Sequence, residues 1–164
     1  MIKIILCIAI IAFTSFCGYL LGRKYRQKRQ FFDQFKEFNE RFLSEVTYYR
    51  RPILEFLMRY RYKGEFHIFL QDLIFDLKEE NSFFKTCLEG AEYTFLTNED
   101  KIFLADYFAM FGRSDSASQK AYFSSANLEI EKKKTLAQSE LKKYGDLYLK
   151  LGILCGILIV ILII

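Results

Sequence analysis

The chain of 164 residues is poor in the residues that punctuate loops and build catalytic centres. One proline and eight glycines are too few for the turn-rich sequence of an all-β protein, so strands should not dominate. A single histidine, His67, cannot by itself build a histidine metal site or a Ser-His-Asp triad, and the four cysteines lack zinc-ligand spacing. No G-x-x-x-x-G-K-[ST] loop occurs. We therefore expect a chain that is not an enzyme and holds no cofactor or metal.

Hydrophobic residues make up 52% of the chain, which excludes disorder, and they are unevenly spread. Ile4 to Gly22 is a stretch of 19 uncharged residues, long enough to cross roughly 30 Å of hydrocarbon. Leu151 to Ile164 adds 14, and it reaches spanning length once residues 147–149 are included and Lys150 extends to the headgroups. The predicted domains are a transmembrane helix at 4–22, a helical bundle at 23–146 and a transmembrane helix at 147–164.

Basic residues beside the two apolar stretches predict the orientation. Five of them lie between Arg23 and Arg29, against Lys3 alone before the first stretch, and six precede the second stretch between Lys132 and Lys150. The bundle is therefore predicted to be cytoplasmic. A cleaved signal peptide is the alternative, and it would reverse the compartment, but the positive charge lies on the wrong side for one. From Gln30 to Asp146 the chain has 17 basic and 20 acidic residues, which is no nucleic-acid footprint.

Apolar spacing predicts an all-α fold: an antiparallel helical bundle between the spans, in which long first and last helices form a stalk. One aromatic stripe begins at Phe32 and predicts a helix that continues out of the first span. Shorter helices are predicted from Pro52 to about Lys63, from Glu65 to Glu80, and from Asn81 or Ser82 to about Gly90. Thr97 and Asp100 resemble a capping box before an apolar helix. The last helix carries a stripe from Phe123 to Tyr148 that is broken at Lys133.

Acidic residues offer only weak candidates for chemistry. Four carboxylates share one helical surface and could hold Mg²⁺ or a basic partner, although a solvated face explains them better: Asp72, Asp76, Glu79 and Glu80. Asp106 lies among apolar neighbours, where a raised pKa, an arginine partner or a solvent-facing position are alternatives. His67 at the edge of an apolar helix is most often structural.

A turn near residue 112 is the candidate partner contact within the bundle. Gly112 ends one helix, Ser114 caps the next with Asp115 as the acid of its first turn, and Gln119 follows four residues after Asp115. This pattern fits a purely structural turn or a contact with a partner protein.

The two spans each contain a G-x-x-x-G motif, Gly18 with Gly22 and Gly152 with Gly156. Small residues let transmembrane helices approach closely, so the spans are predicted to pack on each other through these glycines, with 18 facing 156 and 22 facing 152. The alternative is chance, because glycine is common in spanning helices.

Several short segments, taken in order, resemble the stage III sporulation protein AB family of endospore-forming bacteria. They are Lys24-Tyr25-Arg26, Glu45-Val46-Thr47-Tyr48, Pro52-Ile53-Leu54-Glu55, Phe111-Gly112-Arg113-Ser114-Asp115 with Gln119, and Leu151-Gly152-Ile153-Leu154-Cys155-Gly156.

The resemblance implies a non-enzymatic part of the channel between mother cell and forespore, located in the mother-cell membrane. Family members are similar to the inner-membrane platform proteins of type II secretion, whose cytoplasmic helical domains contact a hexameric ATPase encoded alongside. The resemblance therefore implies two kinds of partner, the hexameric ATPase and other small membrane proteins. It implies no small-molecule substrate. A membrane-tethered regulator or sensor and an enzyme at the cytoplasmic leaflet remain as alternatives.

Overall fold

A computed structural model describes residues 2–48, 53–78, 93–110 and 116–163, and these contain helices and no strand. In the described residues, seven α-helices and one π-helical turn follow each other. They are α1 (Ile2–Leu21), α2 (Arg23–Tyr48), α3 (Ile53–Arg59), α4 (Gly64–Lys78), α5 (Asn98–Ala109), α6 (Ser116–Glu140), the π turn (Leu141–Gly145) and α7 (Asp146–Ile163). The predicted all-α class, with long first and last helices, is confirmed for this part of the chain.

The chain divides into two compact units, and both boundaries fall inside helices. The hairpin unit comprises Met1–Arg29 and Leu136–Ile164, and the bundle unit comprises Gln30–Thr135. The hairpin unit thus joins two segments that are far apart in the sequence, whereas the bundle unit is one continuous segment.

Within the hairpin unit, α1 and α7 run antiparallel and in contact along their length. The helical stretches Ile5–Glu45 and Ser118–Leu162, which overlap α1 and α7, are long and apolar enough to cross a membrane. The helical ladder continues through the junction of α1 and α2, because the Gly22 N–H donates to the Gly18 carbonyl oxygen at 3.2 Å. Two such helices fit a membrane protein.

The bundle unit has an aromatic core that is built around α2. On that helix, Phe32, Phe35 and Phe38 are fully buried, as the stripe predicted. Rings from other helices contact the phenylalanines of α2 edge to face. The centroid distance is 4.8 Å for Phe35 with Tyr107, and it is also 4.8 Å for Phe42 with Phe123. Such pairs stabilise a core beyond the area they bury.

The helix boundaries agree closely with the sequence pattern where both can be compared. The third predicted helix, Glu65 to Glu80, corresponds to α4, and the capping box at Thr97 is present, with both of its hydrogen bonds to Asp100. Phe31 is a fully buried residue that the stripe omitted. Pro52 and the helix predicted from Asn81 or Ser82 to Gly90 lie outside the described residues.

Lys133 interrupts the apolar stripe of α6 for a reason that lies on another helix. Its Nζ atom is 2.8 Å from Oδ1 of Asp100, which is 4% exposed. A buried carboxylate requires such a partner. The acidic residue of the capping box therefore also attaches the start of α5 to α6.

Candidate functional site

A close backbone contact in the hairpin unit lies where Gly18 meets α7. A Cβ atom added to Gly18 would collide with the Tyr148 carbonyl oxygen and lie 3.3 Å from the Gly152 Cα atom. In return, a Cβ on Gly152 would be 2.6 Å from the Thr14 carbonyl oxygen and 3.3 Å from the Gly18 Cα atom. Backbone therefore touches backbone here, and neither helix has room for a side chain at this point.

The other two glycines of the motifs meet different partners from those we predicted. Gly22 lies against Gly145 of the π turn, since a Cβ there would be 3.3 Å from the Gly145 carbonyl oxygen. A Cβ on Gly156 would be 3.0 Å from the Ile11 Cα atom. The register is thus one helical turn away from the predicted pairing of 18 with 156 and of 22 with 152, because Gly18 pairs with Gly152.

Tyrosines continue the helix contact beyond the glycines. The Tyr25 ring stacks on Tyr144, with centroids 5.4 Å apart, and on Tyr148 at 6.2 Å. Nearby, the Arg26 guanidinium lies 4.0 Å from the Tyr19 ring centroid. We call Tyr25, Tyr144 and Tyr148 the tyrosine stack. Aromatic and basic residues together are typical of the interface between hydrocarbon and water.

A polar group lies at the centre of the aromatic core of the bundle unit. Asn39 is fully buried, accepts a hydrogen bond from the Tyr107 hydroxyl at 2.7 Å, and donates to the Phe123 carbonyl oxygen at 3.3 Å and to Asn127 Oδ1 at 3.2 Å. Burial raises the pKa of Tyr107 well above its ordinary value. Because α2, α5 and α6 each supply a member, this network fixes their relative register.

Ion pairs on the surface of the bundle unit connect α2 to α6. Lys36 pairs with Glu131, and Asp33 Oδ1 lies 3.2 Å from Lys134 Nζ. The hydrogen bond to Lys36 lowers the pKa of Glu131, and the same bond raises the pKa of Lys36. Such exposed pairs add little stability individually.

A groove of about 190 Å³ lies between α3 and α4. Its walls include Leu57, Met58, Leu70 and Ile74, and His67 contributes a half-exposed ring. The turn between the helices requires Gly64, whose φ of +61° favours a residue without a side chain. Gln34 of α2 holds the same turn, since its Oε1 atom accepts a hydrogen bond from the Lys63 N–H at 2.9 Å. The groove is an apolar surface of the bundle unit that a partner could contact.

The turn predicted near residue 112 lies mostly outside the described residues, which exclude Gly112, Ser114 and Asp115. Gln119 is half exposed near the start of α6. The structural turn and the partner contact both stay predictions.

The predicted acidic surface is only partly described. Asp72 accepts a hydrogen bond from the Tyr93 hydroxyl, Asp106 is exposed, and the side chains of Asp76, Glu79 and Glu80 lie outside the description. Within the described residues, no group of three or more histidine, cysteine or acidic side chains could hold a metal ion.

Sequence analysis missed the buried centre at Asn39 and the Asp100–Lys133 pair. Asn39 stands next to Phe38 inside an aromatic stripe, and Lys133 breaks another stripe. A polar residue in an apolar stripe is thus the signal that could have indicated both, because burial would demand a partner for each.

Comparisons with known proteins give one match. No curated protein and no solved structure matches the chain significantly. A family model described as stage III sporulation protein AB matches residues 3–164, which is nearly the whole chain. With its helical architecture and two long apolar helices, this chain belongs to the stage III sporulation protein AB family.

Proposed function

We propose that the chain is a non-enzymatic platform in the mother-cell membrane, where it holds a cytoplasmic ATPase of the sporulation channel through its bundle unit. Membership of the family supports a role in stage III of sporulation. The platform role and the ATPase are inferences that go beyond that membership.

The observation that carries this proposal is the build of the hairpin unit. Two apolar helices touch backbone to backbone at Gly18 and Gly152, so they form one rigid anchor rather than two independent ones. A protein that holds an ATPase at a membrane needs transmembrane helices that do not slide relative to each other. In the bundle unit, the hydrogen-bond network at Asn39 also supports a rigid platform, because it joins three helices.

The charges beside the apolar stretches support a cytoplasmic bundle unit. Lysines and arginines at both junctions favour the cytoplasmic face, and Arg23, Lys142 and Lys150 are examples. A cysteine in place of the exposed Ser124, in a chain without its native cysteines, tests this topology. An impermeant maleimide is expected to label it only after the membrane is permeabilised, and labelling in intact cells would contradict the orientation.

Binding to the ATPase tests the platform role directly. The full chain in lipid nanodiscs is expected to retain the ATPase encoded beside it, with nucleotide present to assemble the hexamer. Empty nanodiscs provide the background. Met58→Asp tests whether the α3–α4 groove contributes to ATPase binding, because Met58 lies at this groove and is 60% exposed. The matched control is Leu128→Asp, at an exposed position of α6. No retention by the unsubstituted chain would reject the ATPase as partner.

A further inference from the structure

An open groove of about 370 Å³ runs along the hairpin unit between α1 and α7. Cys17, Gly18 and Leu21 line one side, and Tyr148, Leu151 and Cys155 line the other. It exists because the helices approach at the glycines, where neither carries a side chain that could fill the space. The groove lies within the apolar stretches, so in a bilayer its surroundings are acyl chains.

One end of this groove leads to two lysines. Tyr148 lines the groove and stacks on Tyr25, and Lys24 Nζ lies 5.0 Å from the centroid of the Tyr25 ring. On the other helix, Lys143 Nζ lies 5.1 Å from the centroid of Tyr144, the third member of the tyrosine stack. Both lysines are exposed, and neither pairs with a carboxylate among the residues that the structure describes.

We propose that an anionic phospholipid occupies this groove, with an acyl chain between α1 and α7 and its phosphate at Lys24 and Lys143. The apolar walls accept a chain, and two unpaired cations at one end favour a headgroup with net negative charge over a zwitterionic one. The proposal requires that the hairpin unit lies in a bilayer, and it does not depend on the platform role or on the ATPase.

Charge also decides between a lipid and a second copy of the chain. A second copy packed symmetrically in the groove would bring its own Lys24 and Lys143 beside the first pair, and four like charges would then repel each other at a partly apolar surface. An anionic headgroup neutralises the same two lysines instead. The lipid is therefore the occupant that the observed charges favour.

The chain has no tryptophan, so an introduced tryptophan provides a fluorescence signal from one known position. Leu151→Trp places a single tryptophan in the groove, and the matched control Leu20→Trp places one on α1 outside it, at a residue with the same 45% exposure. Each full-length variant is reconstituted in bilayers that contain phosphatidylglycerol or phosphatidylcholine with brominated chains, at equal mole fractions. Bromine quenches tryptophan fluorescence on contact.

At position 151 we expect phosphatidylglycerol to associate at least about fivefold better than phosphatidylcholine, and at position 20 about equally. In the Leu151→Trp chain, replacing Lys24 and Lys143 by glutamine is expected to abolish the preference, whereas replacing both by arginine keeps it. A charge-matched control removes Lys120 and Lys132 of the bundle unit and leaves the preference unchanged. Circular dichroism establishes that every variant is folded.

Three results would overturn the proposal. Equal quenching by the two lipids at position 151 would show that the groove does not select charge. The same preference at position 20 would indicate a general basic belt rather than this groove. Quenching by neither lipid at position 151, with energy transfer between labelled copies, would assign the groove to a second chain.

Discussion

A few polar side chains set the geometry of the aromatic core in the bundle unit. Contacts between phenylalanine rings are less directional than hydrogen bonds, and the hydrogen bonds of Asn39 have fixed partners on α5 and α6. A buried polar group that loses its partner costs more than the bond contributes, so this network penalises every shifted arrangement. Specificity in this core therefore depends on single residues more than on hydrophobic area.

Tyr107→Phe tests the importance of the network. It leaves Asn39 Oδ1 without the donor that is 2.7 Å away, so we expect a loss of about 1 to 3 kcal/mol in the free energy of unfolding. Urea unfolding of the full chain in detergent micelles measures this. Tyr122→Phe is the control, because it removes the hydroxyl of a half-buried tyrosine in α6 and should change stability by less than about 0.5 kcal/mol. Equal losses in the two variants would contradict a special role for Asn39.

Lys133→Met tests the buried ion pair by a comparison of neighbours. Asp100 is 4% exposed, so removing the cation 2.8 Å from its Oδ1 atom is expected to cost about 3 to 5 kcal/mol. Lys132→Met removes an adjacent charge whose side chain is 71% exposed, and little change is expected. Thermal unfolding followed by circular dichroism compares them. Similar melting temperatures for the two variants would mean that Asp100 does not need Lys133.

At the scale of helices, the sequence predicts faces better than registers. The period of three and four residues identified Phe32, Phe35 and Phe38 as buried, because a helix has one period whatever it packs against. The glycine motifs likewise indicated which faces of the spans meet. Their pairing was wrong by one turn, since small residues at 18, 22, 152 and 156 fit together in more than one register. The π turn at Leu141–Gly145 had no proline or other sequence signal.

The pairing of α1 with α7 is testable by cross-linking. In a chain without native cysteines, cysteines in place of Tyr25 and Tyr144, whose rings stack at 5.4 Å, are expected to bridge within one chain. Adding Gly152→Leu should strongly reduce bridging, because even a Cβ atom there lies 2.6 Å from the Thr14 carbonyl oxygen. Ile153→Leu, at an exposed neighbour, should not. Bridging found only between chains, or unaffected by Gly152→Leu, would refute the close packing.

The ion pair between α2 and α6 predicts a pH dependence. Glu131 has a lowered pKa because Lys36 donates to it, so its contribution is present above the ordinary value of 4.5 and is lost as the pH falls through the folded-state value. Lys36 has a raised pKa, so its contribution is present below 10.5 and is lost as the pH rises through the folded-state value.

Lys36→Met is therefore expected to lower the melting temperature slightly at pH 7, and the difference from the parent chain should shrink below about pH 4. Lys36→Arg retains the charge and is the control. Melting curves in a series of buffers provide the measurement. A difference that stays constant down to pH 2 would show that packing of the lysine stem, rather than the charge pair, carries the effect.

At the scale of the whole molecule, a pair of long apolar helices that fits a membrane protein and a helical bundle occupy different parts of the chain. Both parts are predicted from where charged residues occur along the sequence. That distribution can be determined without knowing which residues contact each other. The contact-defined units divide the chain at Arg29 and Leu136, whereas the bounds predicted for the bundle are residues 23 and 146. Charge indicates which segments contact water, whereas the units are defined by which residues contact each other. Tyr25 and Tyr144 therefore belong to the hairpin unit although they lie outside the predicted spans 4–22 and 147–164.

The bundle unit is expected to fold without its anchor. A fragment of residues 30–135 contains the complete network at Asn39 and the pair of Asp100 with Lys133, and it should be a monomeric helical domain with one cooperative unfolding transition. Circular dichroism and sedimentation measure this. A fragment shortened to 30–120 loses Phe123 and Lys133 and should not fold. Failure of the longer fragment to fold would make the hairpin unit part of the folding nucleus.

The antiparallel contact of α1 with α7 also determines when the two helices can pair during synthesis of the chain. Residues 22–145 separate the two helices, and at about 5 to 20 residues per second a ribosome needs roughly 6 to 25 s to synthesise them. If α1 inserts into a bilayer as it is made, Gly18 and Gly22 lack their partner helix for that interval, while the intervening bundle can already fold. A newly made α1 is thus free to meet another copy, or a different membrane protein, before its own partner exists. Slower translation would lengthen this interval, and faster translation would favour the pairing within one chain.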